Sequence, residues 1–319
     1  MIAGKVIEST VNSFLVECDD NKLRNCSIKG KILKESLGYY NPLCPGDNVE
    51  IEIDPLDFGK GQIVNLKKRK NAFSRFNQKG KNLQLIASNI DNLICVTTPR
   101  NPPFRPRFVD RVLVQGAVER INTIIVVNKI DLELSVDDEL RIREWERLGY
   151  TVFKVSAGKK SGLDKLTAVL ENKLSVLVGQ SGVGKSSIIN ALDGTVNLKT
   201  GELSIKHDRG AHTTTKGVLL HINFRNIKFD LIDTPGVRNF IPGGIDSTDL
   251  IHFFPEMAGL WGQCSYGASC THTTESGCKI QEAIYSGVIL EDRFESYLNL
   301  KEELEEEKQK MGFGKKIKK

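Results

Sequence analysis

Gly179-Gln180-Ser181-Gly182-Val183-Gly184-Lys185-Ser186 stands between an apolar run, Leu174 to Val178, and a helix-like stretch, Ser187 to Leu192. Glycine, four residues and Gly-Lys-Ser between a strand and a helix is the pattern of a phosphate-binding loop. The glycines let backbone N–H groups turn toward phosphate oxygens, Lys185 adds a mobile positive charge, and the helix N-terminus adds partial positive charge. The Ser186 hydroxyl can ligate Mg2+, and Ser187 follows it at the mouth of the loop. The bland alternative is a Gly-rich turn with a chance Lys-Ser.

Which base accompanies the phosphates is read upstream. Asn128-Lys129-Ile130-Asp131 follows the apolar strand Thr123 to Val127. There the Asp131 carboxylate can accept from guanine N1–H and N2–H, where adenine offers neither donor and would leave the carboxylate unpaired. The stem of Lys129 can cover one face of the base, and Asn128 can tie this loop to the phosphate loop. Ser156-Ala157-Gly158, at the end of the strand Thr151 to Val155, can offer a backbone N–H to guanine O6. An ATP-using phosphate-loop protein with a chance Asn-Lys-x-Asp is the competing reading.

Downstream, the strand Lys228 to Ile232 leads into Asp233-Thr234-Pro235-Gly236. Asp233 can hold Mg2+ through water, and the Gly236 N–H can meet the terminal phosphate. Between the two phosphate motifs, Arg209-Gly210-Ala211-His212-Thr213-Thr214-Thr215 is polar and Gly-led. One of its threonines, Thr214 among them, is a candidate Mg2+ and terminal-phosphate sensor; a solvated turn is the plain alternative. The order is unusual, because both base-reading segments precede the phosphate loop. A circular permutation keeps each strand in place when the old termini lie close together. It also feeds the terminal-phosphate sensor directly into the C-terminal segment, where nucleotide state can be passed on mechanically.

The 319 residues, 39% hydrophobic and 27% charged, have the composition of a multidomain soluble protein. No apolar run approaches a membrane span and the first residues lack a secretory core, so a cytoplasmic location is expected. The net charge of +5 is modest, but cations cluster at Lys67-Lys68-Arg69-Lys70 and Lys315-Lys316-Ile317-Lys318-Lys319. Solvated surface and nucleic-acid contact are both open readings of such clusters.

Lys5 to Cys18, Leu23 to Leu33, Asn48 to Ile53 and Gln62 to Leu66 are short β-branched runs separated by turn residues. They predict a small barrel over residues 1–70, an oligonucleotide-binding (OB) fold by size and strand count, with an SH3-like barrel as the alternative. Residues 71–82 are polar and basic, a linker by composition, although Phe73 and Phe76 could stack on RNA. From 83 to 243, alternating strands and helices predict a mostly parallel α/β domain, its helix from Arg107 to Ile121 offering Phe108, Val112, Val114 and Val118 for burial.

Over residues 244–319 the composition changes. Cys264, Cys270, His272 and Cys278 fall in a Gly- and Ser-rich stretch and suit one tetrahedral zinc ion; a disulfide is the alternative, disfavoured in the cytosol. Four protein ligands leave no open position, so the ion is expected to hold an α-rich domain together rather than to catalyse. Cys18, Cys26, Cys44 and Cys95 read as ordinary thiols. Glu291 to Lys310 reads as a charged helix leading into the basic tail.

Taken together, the barrel, the reordered GTPase motifs and the Cys-x5-Cys-x-His-x5-Cys cluster resemble the RsgA (YjeQ/YloQ) family of circularly permuted bacterial GTPases along nearly the whole chain. That resemblance implies GTP hydrolysis to GDP in response to the small (30S) ribosomal subunit, a role in its late maturation, and ribosomal RNA contacts through the barrel and the zinc domain. Nothing in the sequence asks for a partner chain, so a monomer is expected; an RNA-binding scaffold with a structural nucleotide is the rival reading. Val237 stands where Ras-like proteins place a water-orienting glutamine, and a hydrophobic side chain cannot orient water. Val237 is therefore expected to point away and intrinsic hydrolysis to be slow. Lys185, Thr214 and His212 are the catalytic candidates, His212 because it matches the family's Gly-x-His-Thr-Thr-Thr loop.

Overall fold

The computed structural model describes residues 1–10, 12–30, 38–77, 82–193, 217–237 and 239–316, with side chains as far as 309. Five strands open the chain: β1 (Ile2–Ser9), β2 (Phe14–Cys18), β3 (Leu23–Ile28), β4 (Asn48–Ile53) and β5 (Lys60–Leu66). They close in the order β1-β2-β3-β5-β4 and back to β1, with β3 and β5 parallel and the other pairs antiparallel. This five-stranded barrel fits the expected OB fold. Alternation puts Val6, Phe14, Val16, Val49, Ile51 and Ile63 inside, each buried completely or nearly so. The run read as Lys5 to Cys18 is two antiparallel strands, with the Thr10 N–H donating to the Ser13 carbonyl at 2.9 Å where they are joined.

Residues 71–82, expected to be a linker, contribute a strand instead. β6 (Ala72–Asn77) pairs antiparallel with β7 (Asn82–Ser88), and a bulge at Phe73/Ser74 re-aims the strand. Phe73 is fully buried and stacks on Phe240 with ring centroids 5.5 Å apart, a packing partner 167 positions away that composition cannot reveal. The basic run before it is not all surface either. Arg69 clamps the fully buried Asp47 at 2.6 and 2.8 Å, and Asp47 also accepts from Ser88 Oγ at 2.6 Å and the Cys44 N–H at 2.9 Å. Barrel and hairpin are thus joined through one saturated carboxylate.

The central sheet contains β8 (Asn92–Thr97), β9 (Asn122–Val127), β10 (Thr151–Lys154), β11 (Leu174–Gly179), β12 (Val218–Phe224) and β13 (Ile227–Asp233). Its order is β10-β9-β8-β11-β13-β12, parallel except for β12, and β12 meets β1 at Glu8↔Val218 so that barrel and sheet are continuous. Strands β8 and β11 are buried at every residue, as expected for parallel strands covered on both faces. The covering helices are α1 (Pro106–Val118), α2 (Val136–Arg147), α3 (Leu163–Ala168) and α4 (Lys185–Leu192). α1 starts at Pro106, whose fixed φ suits the first turn, and buries Phe108, Val112 and Val114; Val118 is half-buried. α2 starts at a capping box between Ser135 and Asp138.

The C-terminal part holds α5 (Pro255–Ala258), α6 (Lys279–Tyr285) and the long α7 (Glu291–Lys316). α7 lies against α1 through a buried charge network. Asp110 of α1 accepts from Arg293 of α7 at 2.6 Å, from Trp145 Nε1 at 3.0 Å and from Arg141. Arg293 also binds Glu256 at 2.6 Å. Burial alone would push the Asp110 carboxyl up, but Arg293 and Arg141 hold it below the usual carboxylate range.

Candidate functional site

Parallel pairing brings three distant stretches to one edge of the sheet. Gly179 lies beside Val96, Leu177 beside Asp233, and Thr97 beside Val127, so the loops that follow β9, β11 and β13 leave the same carboxyl end. That edge is where ligands bind in open α/β sheets.

Asn128 is the knot of the site. Its side-chain N–H donates to the Val183 carbonyl at 2.9 Å, and its side-chain oxygen accepts from the Ala157 N–H at 3.0 Å. One buried amide therefore joins the Asn-Lys-x-Asp loop, the phosphate loop and Ser156-Ala157. Gly184, at φ +95, leaves room for it: a Cβ there would fall 2.3 Å from the Asn128 side-chain nitrogen. Lys129 Nζ donates to the Gly182 carbonyl at 2.8 Å and to the Asn101 carbonyl, laying its stem across the space beside the phosphate loop. Burial lowers its pKa, against the opposing pull of Asp131.

Asp131 is exposed and accepts from the Ser156 hydroxyl at 2.6 Å, which holds its carboxyl below the usual range and so keeps it an acceptor. The expectation for this segment concerned a backbone N–H; the hydroxyl that orients the carboxylate was missed.

In the phosphate loop, Gln180 is buried while Ser181 and Gly182 are exposed at the mouth. Lys185 is 6% exposed and turns back onto the loop, donating to the Gly179 carbonyl at 3.0 Å and the Gln180 carbonyl at 3.3 Å. Burial pulls its pKa down to about 8, with Asp233 pulling the other way. Ser186 and Ser187 follow Lys185 in the first turn of α4.

Asp233 ends β13, buried. The next residue pins the loop, Thr234 Oγ1 donating to the Leu177 carbonyl at 2.6 Å. Gly236 packs on the phosphate loop so closely that a Cβ would lie 2.7 Å from Ser181 Cα. Val237 donates its N–H to the Gly179 carbonyl at 3.1 Å and buries its side chain in the same core as Phe73 and Phe240, away from solvent as expected. Arg209 to Thr215, with His212 and Thr214, lie outside the described residues.

The second constellation is Cys264, Cys270, His272 and Cys278, all buried, with their ligand atoms within 4.8 Å of one another. Cys264 Sγ and Cys278 Sγ are 3.8 Å apart, and His272 Nδ1 is 3.5 Å from each. Tetrahedral zinc with bonds of about 2.3 Å to sulfur and about 2.0 to 2.1 Å to nitrogen requires roughly 3.8 Å between sulfurs and roughly 3.6 Å from sulfur to nitrogen. The set fits, with His272 presenting Nδ1. Outer contacts hold it: the Lys279 N–H donates to Cys264 Sγ at 3.4 Å, and Gln281 Nε2 donates to the His272 carbonyl at 2.6 Å. The remaining cysteines, Cys18, Cys26, Cys44 and Cys95, are free and buried.

Among known proteins, the RsgA GTPase family model matches residues 66–241. "Small ribosomal subunit biogenesis GTPase RsgA 2" of Bacteroides thetaiotaomicron is 34% identical over 316 residues, covering 97% of this chain and 99% of the relative. The similarly named protein of Chlorobaculum tepidum is 35% identical, covering 96% and 99%. Among solved structures, YjeQ from Thermotoga maritima aligns with a TM-score of 0.68 at 29% identity, covering 95% of this chain and 98% of that one. YloQ, described as a circularly permuted GTPase, shares the fold with a TM-score of 0.65 at 23% identity, each chain covered to 96%. A family model spanning more than half of the residues, and relatives a third identical along nearly all of them, place this chain in the RsgA GTPase family.

Proposed function

We propose that this GTPase binds GTP and its product GDP with Mg2+ and hydrolyses GTP slowly alone and faster on the small (30S) ribosomal subunit, assisting late maturation of that subunit. The observation that carries the reading is the Asn128 amide, which draws the base loop, the phosphate loop and Ala157 into one site. Relatives along the full chain bear the name small ribosomal subunit biogenesis GTPase, which supports the partner.

In this reading Asp131 selects guanine, Lys129 covers the base, and Ala157 offers its N–H toward guanine O6. The backbone from Gly179 to Ser187 and the Lys185 ammonium hold the phosphates. Ser186 and Asp233 hold Mg2+, whose chemistry when bound is to neutralise charge on the β- and γ-phosphates. Gly236 meets the terminal phosphate. His212 and Thr214 take the catalytic and sensing roles on the strength of their sequence pattern. Cys264, Cys270, His272 and Cys278 hold one structural zinc. The barrel over residues 1–70 and the region over 244–319 contact ribosomal RNA, and the protein works as a cytoplasmic monomer. No described helix is long and apolar enough to cross a membrane.

The test is GTP turnover by the purified full chain with and without purified small subunits. Stimulation by the subunit, reduced in His212→Ala, is expected. Equal turnover in both conditions would instead favour an RNA-binding scaffold with a structural nucleotide.

A further inference from the structure

The loop after Asp233 does not end at the nucleotide edge. Three positions beyond Val237, Phe240 is fully buried, stacked on Phe73 and edge-on to Phe108 of α1 with ring centroids 6.3 Å apart. The next contacts all fall on one stripe of α1, at Arg107, Arg111 and Gln115, spaced four residues apart so that they share a face. Gln115 accepts from the Gly243 N–H at 2.6 Å. Arg107 holds Glu295 of α7 and lies 3.8 Å from Asp292.

Arg111, between them, serves both sides. Its guanidinium donates to the Phe240 carbonyl at 3.3 Å and to Asn239 Oδ1 at 3.4 Å, and it grips Glu303 of α7 through both terminal nitrogens, one at 2.7 Å. The Arg111 side chain is only 12% exposed.

We propose that Arg111 is a positioning residue through which the Asp-Thr-Pro-Gly loop and helix α7 sense each other. A planar guanidinium has five donors in fixed directions, so a shift of the Phe240 carbonyl and a shift of the Glu303 carboxylate cannot both be followed without rotating the fork. Movement of Gly236, Val237 and residues 239–243 toward or away from a terminal phosphate changes the geometry that α7 experiences. By reciprocity, a partner that moves α7 changes the affinity for the terminal phosphate by the same factor. Room for the movement exists. A cavity of about 380 Å³ lies where these parts meet, lined by Arg107, Arg111, Gln180, Asn239 and Asp292 among others. The buried pair of Asp110, next to Arg111 on α1, and Arg293, nearly three turns before Glu303 on α7, fixes the start of α7, so the response is expected in the turns around Glu303.

This inference rests on the guanine-nucleotide reading above. The experiment is amide hydrogen exchange on the full chain with Mg2+ and either GDP or a non-hydrolysable GTP analogue, with nucleotide binding measured on the same samples. In the wild type, exchange in α7 around Glu303 is expected to differ by about five-fold or more between the two nucleotides, the low end of allosteric coupling. In Arg111→Lys and in Glu303→Gln, a mild change at a partly exposed position, the difference is expected to fall below about two-fold.

The double variant Arg111→Glu/Glu303→Arg separates coupling from simple clamping. It restores the α1–α7 ion pair but gives the Phe240 carbonyl no donor, so thermal stability should recover while the nucleotide response of α7 stays absent. A restored response in the double variant overturns the proposal, as does a wild-type α7 indifferent to the nucleotide bound. Failure of the wild type to bind guanine nucleotides at all would bring down the earlier reading and this one together.

Discussion

Lys185 carries a charge that the fold makes costly to keep. Its ammonium is buried against two phosphate-loop carbonyls and its pKa falls to about 8. A bound triphosphate places negative charge beside it and raises that pKa again. Above about pH 8 the free protein therefore has to take up a proton to bind, and below that it does not. Affinity for GTP is expected to be flat below pH 7 and to fall as pH rises from 8 to 9, approaching a tenfold loss per unit for one proton. Titration across that range checks it. Lys185→Ala should bind more weakly, with the pH dependence gone. For stability the sign is opposite. A depressed lysine pKa costs the unliganded fold most below pH 8, where the ammonium is charged in both states, and that cost fades as pH rises toward the ordinary lysine value. Lys185 was legible from Gly-x4-Gly-Lys-Ser alone, because the chemistry of phosphate binding fixes the spacing. Asp131 was legible as an acceptor, but the Ser156 hydroxyl that aims it comes from another strand end and has no local pattern.

Helices α1 and α7 share an apolar cluster, Val114 with Phe294, Tyr297, Leu300 and Leu304, and they also meet through charge, with Asp110 where the charges converge. It is fully buried between Arg293 and Arg141. Removing one member of such a group leaves the others buried and unbalanced, at about 3 to 5 kcal/mol. Asp110→Ala is expected to lose about that much stability in urea unfolding, with m unchanged; a loss under about 1 kcal/mol would mean that water compensates the arginines. The four-ligand cluster makes a second prediction. Its turns at residues 264–278 bury little beyond the four candidate ligands, so a metal held there would supply folding energy. Metal analysis is expected to give one zinc per chain. A chelator strong enough to remove it should lower the melting temperature of the C-terminal part while leaving GDP binding in place.

The elements themselves divide by how local their cause is. Strands β8, β9 and β11 were legible because they are covered on both faces and read as continuous apolar runs. The strand β6 was not. Asn71-Ala72-Phe73-Ser74-Arg75-Phe76-Asn77 is polar and basic, and only its pairing with β7 and the stack of Phe73 on Phe240 make it a strand. Arg69 stands in a basic run that the sequence leaves open between solvated surface and nucleic-acid contact. The Asp47 that buries it lies 22 residues earlier, across a turn whose path the sequence does not give. The Asp110–Arg293 pair spans 183 residues and left no trace in any window of the sequence.

At the level of the whole chain, the reshuffled order of motifs has one structural meaning. The base-reading loop follows β9, early in the central domain, and the phosphate loop follows β11, yet parallel pairing through β8 sets them side by side. Asn128 then bonds them directly. Permutation leaves the pocket intact and changes only what leaves it: the chain runs from Gly236 through Phe240 toward the Cys264–Cys278 cluster and α7, so the proposed terminal-phosphate sensor borders the helix proposed to respond to it. If that pocket is a guanine site, its selectivity rests on the acceptor at Asp131. Exchanging the carboxylate for an amide keeps one uncharged acceptor for guanine N1–H but sets a donor against N2–H, an arrangement that suits xanthine, whose C2 bears a carbonyl. Equilibrium titration of wild type and Asp131→Asn with GTP, ATP and xanthosine triphosphate at fixed Mg2+ reads this out. Wild type should bind GTP and not ATP; Asp131→Asn should lose about a hundredfold or more in GTP affinity, as two charge-assisted bonds are worth about 3 kcal/mol or more, and should bind xanthosine triphosphate instead. Equal affinity of the wild type for GTP and ATP, or an Asp131→Asn protein that still prefers GTP, would contradict the guanine pocket on which the rest depends.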